Sequence, residues 1–171
     1  MKGPRLNTKR RELAKTSRGA RRPPAVVTKT MRAVKGRDTT PELALRRGLW
    51  ARGLRYRLCR RDLPGAPDIV FVSRRVAVFV DGDFWHGRQW RSRGFSSLEA
   101  QMKRVRNSAY WVKKIARNVE RDQRVNRDLR ALGWITVRVW ESEVSVHLSR
   151  ALAKVVRAVS PRSQSARRKK T

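Results

Sequence analysis

Apolar positions along this chain follow two periodicities. In its middle, Ile69-Val70-Phe71-Val72 and Val76-Ala77-Val78-Phe79-Val80 are unbroken runs of β-branched and aromatic residues, the composition of two buried strands. Ser73-Arg74-Arg75 joins them as a tight turn. Pairing Val72 with Val76 places Asp68 opposite Val80, so the Asp68 carboxylate and the Val80-Asp81 backbone meet at one end of the hairpin. Leu54 to Leu58 alternates and predicts a further strand, and Trp134-Ile135-Thr136-Val137-Arg138-Val139-Trp140-Glu141 predicts another. Helical spacing governs the rest. Thr39 caps a helix with Pro41 in its first turn and Glu42 three residues after the cap; it runs through Leu45, Leu49 and Trp50 and stops at Gly53. Trp111, Ile115, Val119, Leu129 and Leu132 predict a long helix over 108–132, closed by Gly133. Val144, Leu148, Leu152, Val155, Val156 and Val159 predict a last one over 143–159.

The order helix, strand, hairpin, helix, strand, helix describes one α/β domain around a mixed sheet. The strand that follows the long helix after a one-glycine turn completes a strand–helix–strand crossover. Residues 88–107 interleave Trp90, Phe95, Leu98 and Met102 with arginines and predict a loop with a short helix from Ser97. Such interleaving suits a nucleic-acid surface; it suits equally well arginines snorkelling over a small core. Residues 1–30 and 160–171 are basic and almost free of large apolar side chains, so they read as a flexible arm and a tail around a domain at 31–159. There are no internal repeats.

Charge narrows the function. Lys and Arg number 44 against 13 acids, a net charge of +31 over 171 residues. An excess of that size calls for a polyanion: nucleic acid first, then a membrane surface or ribosomal RNA. No run approaches the length of a membrane-spanning helix, and the basic N-terminus lacks the apolar core of a secretory signal. The single Cys59 excludes an intramolecular disulfide and a cysteine-rich zinc site. A cytoplasmic protein without a membrane span, with nucleic acid as first candidate partner, is the expectation.

Candidate chemistry collects where the hairpin ends. Asp68 at a strand start faces a loop bearing Asp81, Asp83 and His86, a donor set suited to a hard cation such as Mg²⁺. Turn formation alone explains Asp and Gly at such a place, but does not require Phe84-Trp85-His86. On the long helix Asn118, Asp122 and Asn126 follow at four-residue steps beside the apolar stripe. That polar line either enters the site or forms a surface network in which Asp122 pairs with a nearby arginine.

At these residues the chain resembles the very-short-patch-repair (Vsr) mismatch endonucleases, a branch of the restriction-endonuclease-like fold, from about Met31 to Val144. The resemblance is carried by Met31-Arg32-Ala33-Val34, Asp38-Thr39-Thr40-Pro41-Glu42, Leu63-Pro64-Gly65 with Pro67-Asp68, Gly82 with Phe84-Trp85-His86-Gly87, Ile115 with Asn118-Val119-Glu120-Arg121-Asp122, and Leu132-Gly133-Trp134 with Val139-Trp140-Glu141. It implies double-stranded DNA as partner and Mg²⁺-dependent nicking of one of its strands beside a T:G mismatch left by 5-methylcytosine deamination. Asp68 would be the metal-binding carboxylate and the Val80 carbonyl the second protein ligand, with Asp81 a further candidate. His86 would be the catalytic histidine, oriented by Asp122 and supported by Asn118. Glu42 would lie near the same site, its capping role being the structural alternative. Phe84, Trp85 and Met31 would wedge into the base stack, a device whose unstacking cost is lower at a mismatch. Coupling to a cytosine-5 methyltransferase and to repair proteins would follow.

The chain departs from the family at three places. Positions that hold zinc-binding His and Cys in characterised relatives are Arg88, Gln89, Trp90 and Ser142 here, so no structural zinc is expected. Asp81 and Asp83 replace a His and a Cys, which strengthens metal chemistry and weakens the histidine part. No acid-x-Lys motif follows, since Asp81-Gly82-Asp83 offers no lysine. Two other readings stand beside this one: a related nuclease of restriction or defence type that cuts paired DNA, and a non-catalytic DNA-binding protein.

Overall fold

A computed structural model describes residues 37–160 apart from Arg104. The basic arm, the tail and Met31 lie outside the described residues. The first helix, α1 (Thr40–Ala51), starts as its sequence requires. Thr39 accepts from the Glu42 amide at 3.4 Å while Thr39 Oγ1 donates to Glu42 Oε1 at 3.0 Å, a variant of the capping box in which the glutamate returns to the cap hydroxyl and the Asp38 N–H. Its buried Leu45 and Leu49 face the sheet.

Four strands form that sheet in the order β1 (Arg57–Leu58), β2 (Ile69–Phe71), β3 (Val76–Asp81), β4 (Ile135–Trp140). β1 and β3 run antiparallel to β2, and β4 runs parallel to β3. The parallel pair is made possible by α4 (Ser108–Ala131), the crossover helix, after which Gly133 turns the chain back into β4 with φ +75°. β3 is central and buried on both faces, which explains its continuous apolar run. One face packs Ile69, Phe71, Val76, Val78, Val137 and Val139 against α1, α5 (Glu141–Val146) and α6 (Leu148–Val159). The other packs Val70, Ala77 and Phe79 against Leu129 and Val125 of α4. Two short helices, α2 (Gln89–Ser92) and α3 (Leu98–Met102), occupy the basic stretch, and Ser97 caps α3 as expected. Among the described residues no helix is long and apolar enough to cross a membrane.

Four expectations need correction. The hairpin register is displaced by one residue: Phe71, not Val72, pairs with Val76. Val72–Arg74 forms a 3-10 turn and Arg75 takes φ +48°, with Val72 left exposed. A one-residue slip exchanges faces, and the observed register gathers Ile69, Phe71, Val76 and Val78 on the face under α1 and α6. The strand expected over Leu54–Leu58 is reduced to two residues, because Cys59 turns away at φ +49° while Leu54 and Tyr56 pack against the core as irregular chain. The last helix is broken at His147. α5 leaves directly from the end of β4, so the strand's exit dictates its direction, whereas α6 must turn back over the sheet to bury Leu152, Val155 and Val159. Leu132, expected in the α4 stripe, is 53% exposed.

Candidate active site

Asp68 enters β2 from a turn in which Gly65 (φ +75°) and Ala66 (φ +48°) are both left-handed. A Cβ at Gly65 would lie 2.6 Å from Val125 Cγ1 of α4, so glycine is what lets α4 press on this turn. Although the shifted register removes Asp68 from direct opposition to Val80, its side chain spans the offset: Oδ2 accepts the Val80 N–H at 2.8 Å. Its other oxygen has no hydrogen-bond partner among the described residues. Burial pushes the Asp68 carboxyl up from 3.8 to about 6; the charges of Glu42 and Asp81 push the same way, while the Val80 N–H and Arg46 pull down. A carboxylate that is costly to ionise and retains a free oxygen fits a hard cation, whose charge would offset that cost.

Glu42 stands within electrostatic reach of Asp68 but is fully engaged. Oε1 accepts from Thr39, and Oε2 accepts the Asp38 N–H at 3.0 Å and Arg46 Nη2 at 2.9 Å. Arg46 also pairs with Asp38. The capping role is thus realised together with the proximity.

The loop after β3 carries His86. It is wound tightly: the Asp83 carbonyl accepts the N–H groups of Arg88 and Gln89, each at 2.9 Å, and the His86 N–H reaches the Gly82 carbonyl. The Asp83 carboxylate clamps the loop to the start of α5, accepting the Ser142 N–H and hydroxyl, both at 2.8 Å. From α4, Asn118 Nδ2 donates to the Trp85 carbonyl at 2.9 Å. One helical turn on, Asp122 Oδ2 is hydrogen-bonded to His86 Nδ1. A carboxylate only accepts, so Nδ1 is the donor, and in that tautomer Nε2 is the ring's acceptor nitrogen.

Asp81 is 3% exposed and lies 3.9 Å from His86 Nδ1. Both its oxygens accept from Arg138 of β4, from Nε at 2.6 Å and Nη2 at 2.9 Å. Arg138 Nη2 also meets Asp122 Oδ1 at 2.9 Å, and Nη1 meets Asn126 Oδ1 at 3.3 Å. The Asn118–Asp122–Asn126 line therefore contacts the His86 loop on one side and Arg138 of β4 on the other. Burial opposes the Arg138 charge, but the bonds to Asp81 and Asp122 outweigh it and raise its pKa above the ordinary arginine value. Pattern reading passed over Arg138. A signal was there, because a charge amid Ile135-Thr136-Val137 and Val139-Trp140 must find a counter-charge when the strand is covered.

Phe84 and Trp85 sit half-buried in an aromatic cluster with Trp111, at centroid distances of 5.1–5.8 Å. Tyr110, 56% exposed, extends it, and Lys114 Nζ lies 5.3–5.6 Å from the rings of Trp85, Trp111 and Tyr110. Trp111, assigned above to the helix's core stripe, instead faces this cluster. Beside His86 opens a groove of about 1020 Å³ lined by His86 itself, Arg88, Arg91, Trp140, Arg150 and Lys154, with Arg88 held 4.9 Å over Trp140. Among the described residues no three or more His, Cys, Asp or Glu side chains converge as a metal-binding group.

Comparison with known proteins meets this geometry. Residues 23–92 match the family profile described as DNA mismatch endonuclease Vsr. The chain is 41% identical over 131 residues to the type II nicking enzyme V.NmeDIP of Neisseria meningitidis serogroup C, covering 77% of this chain and 84% of the relative. It is 45% identical over 115 residues to the type II nicking enzyme V.XorIIP of Xanthomonas oryzae pv. oryzae, covering 67% and 79%. To the DNA mismatch endonuclease Vsr of Escherichia coli K12 it is 36% identical over 117 residues, covering 68% and 70%. The sheet flanked by helices agrees with the restriction-endonuclease-like fold of that family, and the relatives' shared activity excludes the non-catalytic reading. With relatives of this identity covered over most of their length, the chain belongs to the Vsr family of DNA endonucleases.

Proposed function

We propose that this endonuclease nicks one strand of duplex DNA beside T:G mismatches, with Mg²⁺ held by Asp68 and the Val80 carbonyl. The observation that carries the reading is the Asp68 carboxyl, raised to about 6 by burial and by Glu42 and Asp81, with one oxygen on the Val80 N–H and the other open. When bound there, a divalent cation supplies Lewis-acid stabilisation of the developing phosphate charge and a more acidic water. The protein's own groups do the rest. Asp122 holds the Nδ1 proton of His86, so that Nε2 accepts a proton from the attacking water. Asn118 fixes the loop backbone beneath the ring. Asp81 lies close by, but with both oxygens on Arg138 it acts on the site by charge rather than as a ligand. Phe84 and Trp85 present rings to the base stack, where a mismatched step opens at lower cost. The groove arginines receive phosphates. Methylcytosine deamination would supply the mismatch, which would couple the enzyme to a cytosine-5 methyltransferase and, through its DNA substrate, to the cytoplasm.

The test is cleavage of end-labelled duplexes, one with a T:G mismatch and one fully paired, in Mg²⁺ or EDTA, beside Asp68→Ala. A nick in the mismatched duplex alone, lost with EDTA and with Asp68→Ala, is expected. Several relatives are named type II nicking enzymes, which favours a second reading, a restriction-associated nuclease acting on paired DNA. Equal cutting of the paired duplex would replace the mismatch reading with that one.

A further inference from the structure

We propose that Arg138 is a positioning residue for catalysis, one that aligns Asp122 on His86 and keeps Asp81 from binding the cation. The inference rests on the nuclease reading above and deepens it.

Parallel pairing sets Arg138 beside Phe79 and Trp140 beside Asp81. Opposed residues point to the same face, and so do residues two apart on a strand. Arg138 therefore shares a face with Phe79 and Asp81, the face covered by α4. Its guanidinium lies 4.7 Å over the Phe79 ring, which leaves the planar edge to bond outward. That edge is a fork, and a carboxylate fits it with two parallel bonds. Asp81 takes them at 2.6 and 2.9 Å. Nη2 then also reaches Asp122 Oδ1 at 2.9 Å.

The result is a row of four charged or ionisable groups on three elements and a loop: Asp81 on β3, Arg138 on β4, Asp122 on α4, and His86 on the loop. Asp122 is held at one oxygen by Arg138 and meets the imidazole with the other. Without that anchor its carboxylate would be free to rotate about its last torsion, and the ring would lose its fixed orientation. Asp81, 3.9 Å from the same Nδ1, would compete with Asp122 for the proton if it were not tied on both oxygens. The same tie removes Asp81 as a rival to Asp68 for a cation. A lysine could satisfy one of these bonds but not the fork. An apolar residue, the ordinary choice beside Phe79, could satisfy none.

The experiment uses the full chain with Arg138→Gln, Arg138→Lys and the double change Asp81→Asn/Arg138→Gln. The double change removes both buried charges and protects against misfolding from a lone Asp81. Nicking rate at saturating duplex, duplex affinity, and calorimetric titration with Mn²⁺ in the absence of DNA are measured on each. Expected is a fall in kcat of about 10- to 100-fold in both glutamine variants, the usual range for a residue that orients a ligand or base, with duplex affinity within about threefold. Arg138→Lys should recover only part of the rate. Mn²⁺ should bind about tenfold tighter to Arg138→Gln than to the parent, and the gain should vanish in the double variant. A folded double variant with parental kcat would overturn the proposal and leave Arg138 as a partner that merely neutralises Asp81. If the parent chain cut no duplex, the nuclease reading would fail, and the Mn²⁺ titration alone would decide on Arg138, unchanged affinity in Arg138→Gln refuting it.

Discussion

Replacing Asp68 by asparagine should stabilise the fold at pH 8 while abolishing cleavage. The carboxyl is raised from 3.8 to about 6 because burial, Glu42 and Asp81 outweigh the help from the Val80 N–H and Arg46. A raised carboxyl binds more protons in the folded state than in the unfolded one. Its contribution to stability is therefore complete below pH 3.8 and is lost as the pH rises through about 6. A shift of about two units corresponds to about 3 kcal/mol of cost to the ionised enzyme. Asparagine keeps an oxygen for the Val80 N–H but brings an amide that lacks an assured partner, at about 1 kcal/mol. The net gain at pH 8 should be about 1–2 kcal/mol, or about 4–8 °C in Tm for a domain of this size. Because the wild-type cost falls away as Asp68 protonates, the variant's advantage should shrink by about 2 kcal/mol between pH 8 and pH 4.5. Comparing the two proteins at each pH cancels the titration of groups that do not interact with Asp68. The assay is urea or thermal unfolding in EDTA, repeated with Mg²⁺, which should raise the wild-type midpoint at pH 8 and leave the variant unmoved. A variant no more stable than wild type at pH 8, with the same gap at pH 4.5, would refute the reasoning: Asp68 would then be no strained anion, and the case for its meeting a cation would fall with it.

Gly65→Ala should cost about 2–4 kcal/mol in chemical denaturation, since its Cβ would meet Val125 Cγ1 at 2.6 Å in a left-handed backbone; a loss below about 0.5 kcal/mol would show that α4 does not press on the turn. Binding to any duplex should weaken at least about 10³-fold between 50 and 200 mM salt, as a net charge of +31 and the basic groove imply. A change under about tenfold, measured by anisotropy, would mean that only a few of those charges meet phosphate.

Local chemistry made much of this protein legible before any coordinates. The Thr39 cap, the apolar run of β3, the α4 helix ending before Gly133 and the Ser97 cap are properties of neighbouring residues, and they form where the pattern puts them, whereas Val72 leaves the β2 run and Leu132 the α4 stripe. The Asp68 carboxylate beside Val80 was legible too, although for a register one residue away from the true one. That register was decided by which face of the hairpin α1 and α6 could cover, a competition no local pattern contains. The break at His147 has the same origin, in the angle between a strand's exit and the helix that must return over the sheet.

The site divides along the same line. Asp68 and His86 stand out in sequence by their place at the hairpin end beside Phe84-Trp85, while a role for Asp122 follows only from the family resemblance. Arg138 is 57 residues from Asp81, and Asp83 is 59 residues from Ser142. Only the parallel pairing of β3 with β4, set by the crossover helix, brings these partners together. Whether Asp81 is a ligand or a tied charge depends on a guanidinium arriving from the next strand, and so does the roster of oxygens left for a cation. Sequence determined which residues could do chemistry; the tertiary structure, by burying some charges in pairs and leaving Asp68 buried without a full partner set, decided which of them are free to do it.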